Sequence, residues 1–208
     1  APKALSVSVV GEFNKYDGRV HLMERIEDTG VFELFIPGLA AGCGYMYEIK
    51  RQGKGTTRKL DPVSRQISSV PITASVVSDE NMPDSYAWND GLWMIKRKKE
   101  AGKKKPVTVY EVSLTDWLKE KSADELVDFV KQEGYTHVCF LPVAEYLNEE
   151  MNGYSTLGYF AVTHRTGGSD AFKKLVDDCH NAGIGVIMDW NGAYFGTEAK
   201  GLYDTRNQ

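Results

Sequence analysis

Apolar and polar positions alternate through roughly the first 75 residues. Leu5-Ser6-Val7-Ser8-Val9 has the period of two that predicts a half-buried strand. It leads into GEFNKYDGR, where Asn14, Asp17 and Gly18 are turn formers. Val31 to Ile36 predicts a second strand, stopped by Pro37-Gly38, and Gly44 to Lys50 a third, after the glycine-rich turn at 42–44. A polar hairpin tip at 51–58 and a short strand near Ile72 to Val76 complete the set. Short strands at this spacing, with turn signals between them, predict a small immunoglobulin-like β-sandwich over residues 1–78.

The periodicity lapses from Ser78 to Pro106. Trp88 and Trp93 are expected to anchor this stretch on a neighbouring surface, and KRKKEAGKKK at 96–105 holds seven basic residues in ten. Such a run can contact phosphates. With no interleaved aromatic residues it reads as a solvated linker, which sets the linker at 79–106.

After Pro106 strands and helices alternate. Val107 to Val112 predicts a strand. Ser122 caps a helix whose apolar positions Leu126, Phe129 and Val130 fall at helical spacing, with Glu125 completing a capping box. Gly134 ends it, and His137 to Leu141 forms the next strand before Pro142. A loop rich in Tyr, Asn and Gly runs from Val143 to Gly168. Ser169 or Asp170 is expected to cap a second helix carrying Phe172, Leu175, Val176 and Cys179, closed by Gly183. The uninterrupted run Val186-Ile187-Met188 then predicts a strand buried on both faces, with Asp189 at its carboxyl end, where ligands gather in parallel sheets. The order β-α-β-α-β predicts right-handed crossovers and a parallel sheet over 107–208.

Composition changes this picture little. Hydrophobic residues make up 42% of the 208 and charged residues 26%, an ordinary soluble balance. A net charge of −4 makes no general case for nucleic acid or anionic membrane as partner. No apolar run reaches the length of a membrane span, and the N-terminus lacks the layout of a signal peptide. Cys43, Cys139 and Cys179 are scattered, which suits reduced thiols in a cytoplasmic protein. The four histidines show no metal-ligand spacing, so neither metal nor other cofactor is expected.

The segments VVGEFNKYDGR, GVFELFIPGL, YEIK, KLDP, VYEVSL, EGYTHVCFLPV, GYSTLGYF and DAFKKLVDDCHNAGIGVIMDW are collinear motifs. With them the chain resembles the N-terminal part of the bacterial 1,4-α-glucan (glycogen) branching enzymes of the α-amylase superfamily. The resemblance implies a carbohydrate-binding-module-like sandwich followed by strands one to three of an incomplete (β/α)8 barrel. It also implies retaining chemistry that moves an α-1,4 glucan segment to an α-1,6 position, with two carboxylates about 5 Å apart. In the family those carboxylates lie on later strands, so the resemblance places the nucleophile and the acid/base beyond Gln208 and no catalytic residue within the chain.

What it places within the chain is a partial sugar-binding wall. Tyr154 matches the tyrosine that stacks on the sugar, and an aromatic face suits the C–H face of a pyranose. Asp189 matches an aspartate that supports the site's arginine; as a plain residue it would be a strand-end carboxylate. Tyr194 stands where the family has a sugar-binding histidine, behind Asn191-Gly192 in place of valine-proline. Asn152 and Ser155 replace the tryptophan and glutamine beside the tyrosine, Tyr146 replaces a histidine after Glu145, and Thr115-Asp116 replaces glycine-serine before Trp117. On the sandwich, Tyr16, Lys15 and Lys50 are the candidate glucan contacts, against a module that only packs on the barrel. Scaffold positions persist while sugar-contacting ones drift, so a non-catalytic glucan-binding or scaffold homologue is the alternative to an enzyme portion. The partner implied is an α-glucan. Three strands of eight cannot close a barrel, so the chain is expected to self-associate through the open edge or to be sealed by rearranged N-terminal strands.

Overall fold

The computed structural model describes residues 1–69, 72–78, 86–147 and 149–193. Tyr194 lies outside the described residues. Strands β1 (Ser6–Gly11), β4 (Gly44–Arg51), β5 (Gly55–Lys59), β6 (Ile67–Ser68) and β7 (Ala74–Val76) form one antiparallel sheet. β1 and β5 flank β4, which also pairs with β7, and β7 pairs with β6. β2 (Glu24–Ile26) and β3 (Val31–Glu33) make a separate hairpin. The second strand thus stops at Glu33, short of the expected Ile36, because its partner is only three residues long.

The period-two pattern explains how this sheet is covered. One face carries Val7 and Ile49, which pack with Ala4 under Phe32 of the hairpin. The other carries Val10 and Met46, which pack with Leu60, Ile67 and Ala74. Two further members of that second core, Leu157 and Ala161, come from the far half of the chain. They lie on β11 (Thr156–Val162), which pairs antiparallel with β10 (Ala144–Tyr146). The expected loop at 143–168 therefore contains a hairpin, and that hairpin closes the sandwich.

The α/β half has three parallel strands, β8 (Val109–Val112), β9 (His137–Phe140) and β12 (Gly185–Met188), with β9 in the middle. Two longer helices, α3 (Ala123–Gln132) and α4 (Gly168–Asn181), cover one face. Leu126 and Val130 of α3 and Phe172, Leu175 and Cys179 of α4 meet Val112, Val138 and Phe140 there. A short helix, α2 (Leu114–Trp117), follows β8.

Ser122 caps α3 as expected. Its hydroxyl accepts from the Glu125 amide at 3.2 Å, and its own amide donates to Glu125 at 2.7 Å. Such caps contribute about 0.5–2 kcal/mol. Neither Ser169 nor Asp170 caps α4, which begins at Gly168 with Gly167 at the cap position. A 3-10 turn at His164–Thr166 runs into the helix through those two glycines, both at positive φ. Gly183 ends the descent from α4 at φ 86°, a conformation that favours glycine.

Among the described residues, no helix lies against the other face of the parallel sheet. Val109 of β8 and Ile187 of β12 point that way and are exposed, Ile187 by 40%. The expectation that the Val186–Met188 run is buried on both faces is corrected here. Among the described residues β12 has one neighbouring strand and one covered face, and Met188 is 55% exposed.

The stretch read as irregular linker carries α1 (Gly91–Glu100). It docks on α4 through Trp93, whose ring stacks on His180 with centroids 3.6 Å apart and planes at 5°. Asp90 sits at the helix start but offers its carboxylate to His180 Nδ1 at 2.7 Å rather than to the helix. Just upstream, buried Asp177 of α4 accepts from the Asn89 amide at 3.0 Å and the Tyr86 hydroxyl at 3.2 Å.

Gly158 faces the sandwich closely, since a Cβ there would overlap Ile67 Cδ1. Gly158→Ala should therefore cost about 1–3 kcal/mol by overpacking. Ile67→Val in the same chain removes the obstructing atom and should recover most of that loss, although Ile67→Val alone costs about 0.5–1.5 kcal/mol. Urea denaturation of the two single variants and the double variant reads this coupling. Strictly additive losses would show that the contact is absent.

Candidate functional site

The carboxyl ends of β8, β9 and β12 point to one end of the sheet, and Asp189 follows β12 directly. Its amide donates to the Phe140 carbonyl at 2.8 Å, which fixes it beside the end of β9. Its carboxylate accepts a short hydrogen bond from the Tyr154 hydroxyl. Two of the three residues singled out in the sequence, 35 positions apart, are thereby joined.

Tyr154 is delivered by a tight loop. A 3-10 turn at Glu149–Met151 is followed by Asn152 and Gly153, both at positive φ. A side chain on Gly153 would overlap the Pro142 carbonyl, so this glycine is required both by conformation and by space. The Tyr154 amide then donates to the Met151 carbonyl at 2.8 Å. On the other side, Asn191 Nδ2 donates to the Tyr154 carbonyl at 2.8 Å. Asn191 stands among the departures from the family pattern, yet here it helps to hold the tyrosine.

The electrostatics follow from this geometry. The hydrogen bond to Asp189, then burial, then the negative charge of Asp189 and Glu111 push the Tyr154 hydroxyl up to about 12. It therefore stays neutral and donating across the physiological range. Burial, followed by the charges of Glu111 and Asp189, also raises the Cys139 thiol on the same face. The site consists of a half-buried aromatic ring with a carboxylate behind it and Glu111 nearby. Beside it lies a cleft of about 500 Å³, with Asp189, Trp190, Asn191, Tyr159, Trp88 and Phe160 in its lining. Trp190 and Tyr159 lie beside each other there, with ring centroids 5.6 Å apart and planes tilted by 53°. Such a surface offers stacking faces and hydrogen-bond acceptors, the groups that suit a polyhydroxylated ring. Among the described residues no group of His, Cys, Asp and Glu is arranged to hold a metal ion.

The sequence reading missed Glu145. This buried carboxylate on β10 accepts from Arg165 Nη1 at 2.8 Å, the His164 amide at 3.0 Å and Thr163 Oγ1 at 3.2 Å. Arg165 also lies over the Tyr146 ring at 4.5 Å. The network ties β10 to the turn before α4; in the sequence Glu145 stood in an expected loop, named only as the residue before Tyr146.

On the sandwich, Lys15 and Tyr16 both adopt positive φ, and the Arg58 guanidinium lies 5.7 Å from the Tyr16 ring. Arg58 also pairs with Glu48 at 3.0 Å. Tyr16 is half-buried against the core shared by the two halves, while Lys15 and Lys50 are exposed. The three are not joined to the Tyr154 site.

The family model for carbohydrate-binding module 48 (isoamylase N-terminal domain) matches residues 1–64, and that for the α-amylase catalytic domain matches residues 123–207. The chain is 42% identical to the 1,4-α-glucan branching enzyme GlgB of Nitrosococcus oceani over 212 aligned residues, covering 97% of this chain and 28% of that protein. It is 43% identical, with the same coverage, to the GlgB branching enzyme of Methylococcus capsulatus. Among solved structures, an Anoxybacillus pullulanase complexed with maltotetraose superposes with a TM-score of 0.67 at 19% identity, over 96% of this chain and 34% of that one. That likeness speaks to the fold.

The Tyr154–Asp189 bond has a direct spectroscopic consequence. Tyr154, identified by difference against Tyr154→Phe, should ionise near pH 12 in an ultraviolet titration. In Asp189→Asn the charge and its acceptor are gone, and the value should fall toward the ordinary tyrosine value of about 10. A Tyr154 that already ionises near 10 in the parent chain would mean that the bond is not formed.

Taken with the sandwich, the parallel strands and the site at their ends, these matches make the chain, which spans 28% of the length of its curated relatives, a homologue of the N-terminal portion of the bacterial 1,4-α-glucan branching enzymes.

Proposed function

We propose that this chain is the glucan-holding N-terminal portion of a protein that moves α-1,4 glucan segments to α-1,6 positions. Tyr154 stands beside the cleft, held by Asp189 and Asn191, which line it. The observation that carries the reading is Tyr154 held at the carboxyl ends of parallel strands, by Asp189 at its hydroxyl and by Asn191 at its backbone carbonyl. A stacking platform discriminates only if it is held still, and holding it in advance reduces the ordering cost of binding. The chemistry itself requires a nucleophile and an acid about 5 Å apart. We assign neither to this chain, since the carboxylate of Asp189 is engaged with Tyr154. The role of Tyr194 in sugar contact belongs to the same proposal.

A second reading concerns assembly. Among the described residues no strand pairs with the outer edge of β12, and Ile187 and Met188 are exposed beside it. An open edge with apolar neighbours favours pairing with another chain. In isolation, the chain is then expected to self-associate there.

Affinity electrophoresis in gels containing glycogen tests the main reading. The chain should be retarded relative to a glycogen-free gel, and Tyr154→Ala should weaken that retardation about tenfold, the scale of one lost stacking contact. Migration unaffected by glycogen, or retardation untouched by Tyr154→Ala, would remove the site from the account.

A further inference from the structure

Two surfaces of the molecule are left unexplained by the glucan site. The first is the outer face of the β2–β3 hairpin. Register places Glu24 directly opposite Glu33 and Ile26 opposite Val31, so these four side chains share one face, and all four are exposed. Their strand neighbours Arg25 and Phe32 take the other face, where Phe32 packs on the sandwich core. Like charges directly opposite on a sheet destabilise it. Glu27 and Asp28, also exposed, add two acids at the tip of the same hairpin. Nothing in the fold of the sandwich calls for this arrangement.

The second surface is the outer face of α1. Trp93 stacks inward on His180, and Arg97 lies 5.7 Å over the Trp93 ring. That fixes the opposite side of the helix outward, where Leu92, Ile95 and Lys99 follow one another at helical spacing with Lys98 alongside. Leu92 is 84% exposed and Ile95 54%. Lys103, Lys104 and Lys105 continue the basic run beyond the helix. Residues 96–105 carry seven basic side chains and one acidic one, in a chain whose net charge is −4. The remainder of the molecule therefore carries a net −10, and charge on this protein is strongly segregated.

The two faces match. Each has a pair of exposed aliphatic side chains beside charges of one sign, and the signs are opposite. We propose that the β2–β3 hairpin of one copy docks on α1 of a second copy, with Ile26 and Val31 against Leu92 and Ile95, and with Glu24 and Glu33 answered by Lys98 and Lys99. Because the two surfaces differ, the contact is heterologous and leaves one of each free on every dimer, so assembly continues head to tail. The patches are small, which places the contact in the weak, rapidly exchanging class. The partnering charges are solvent-accessible, so salt screens it. The proposal uses neither Tyr154 nor the β12 edge, and it stands or falls apart from the glucan reading.

The test is sedimentation velocity of the 208-residue chain over a concentration series at low and at high salt, with two charge-reversed variants. One is Lys96→Glu/Lys98→Glu/Lys99→Glu, and the other is Glu24→Lys/Glu33→Lys. Unchanged circular dichroism and melting show that each is folded. The parent chain should grow with concentration at low salt and return toward monomer at high salt. Each variant alone should associate at least about tenfold more weakly. An equimolar mixture of the two should recover association, because the acidic hairpin of the first variant meets the basic helix of the second, and the two reversed surfaces, Glu on α1 and Lys on the hairpin, are again opposite in sign. A parent chain that stays monomeric throughout overturns the proposal. So do variants that each associate like the parent, which would place the contact elsewhere, for example at β12. A mixture no more associated than its components overturns it too.

Discussion

Leu157 and Ala161 leave the α/β half of the chain and complete the core of the sandwich half. Most of what is distinctive in the molecule depends on that insertion. β11 sends Leu157 and Ala161 into Val10, Met46 and Leu60, and Gly158 leaves room for the Ile67 side chain. The same hairpin is tied at its base by Glu145 to Arg165 and His164, and its loop carries Tyr154. Tyr154 is thus positioned by an element whose apolar face belongs to a different module. The sandwich is in this sense part of the site's foundation, whether or not its own surface touches glucan.

The parallel sheet contributes the other half of the positioning. Its helix-covered face is a well-filled core, in which Phe140 and Phe172 meet edge to face at 5.5 Å. Among the described residues its opposite face, with Glu111, Cys139 and Ile187, remains open. Polar and titratable groups survive on that face because it is not closed by apolar packing. The Tyr154–Asp189 bond sits at its edge, and Asn191 closes the arrangement from behind.

Elements governed by local rules could be read from the sequence. The Ser122–Glu125 capping box, the alternating run that became β1 and the glycine at 183 each encode their conformation within a few residues. Elements governed by distant partners could not. β10 and β11 lay hidden in a stretch rich in tyrosine and glycine, because their apolar positions are matched to residues about a hundred positions earlier. α1 was missed because its outward positions are Leu92 and Ile95 while its docking side is one tryptophan, so no apolar stripe marks it. The site divides the same way. Tyr154 and Asp189 were named through the resemblance to a family, since nothing in either local sequence announces a bond across 35 residues. Asn191, counted as a lost contact, proved to be a support. Glu145 was passed over because a carboxylate inside a strand declares itself only when its arginine is seen beside it.

The central claim is that the β10–β11 hairpin and the sandwich share one core. Native-state hydrogen exchange tests this most directly, since it resolves the opening free energy of each element. The amides of β11 and of β4 should open together, with equal free energies and the same dependence on denaturant. A β11 that exchanges at a markedly lower free energy, while β4 remains protected, would show a hairpin resting on the sandwich rather than completing it.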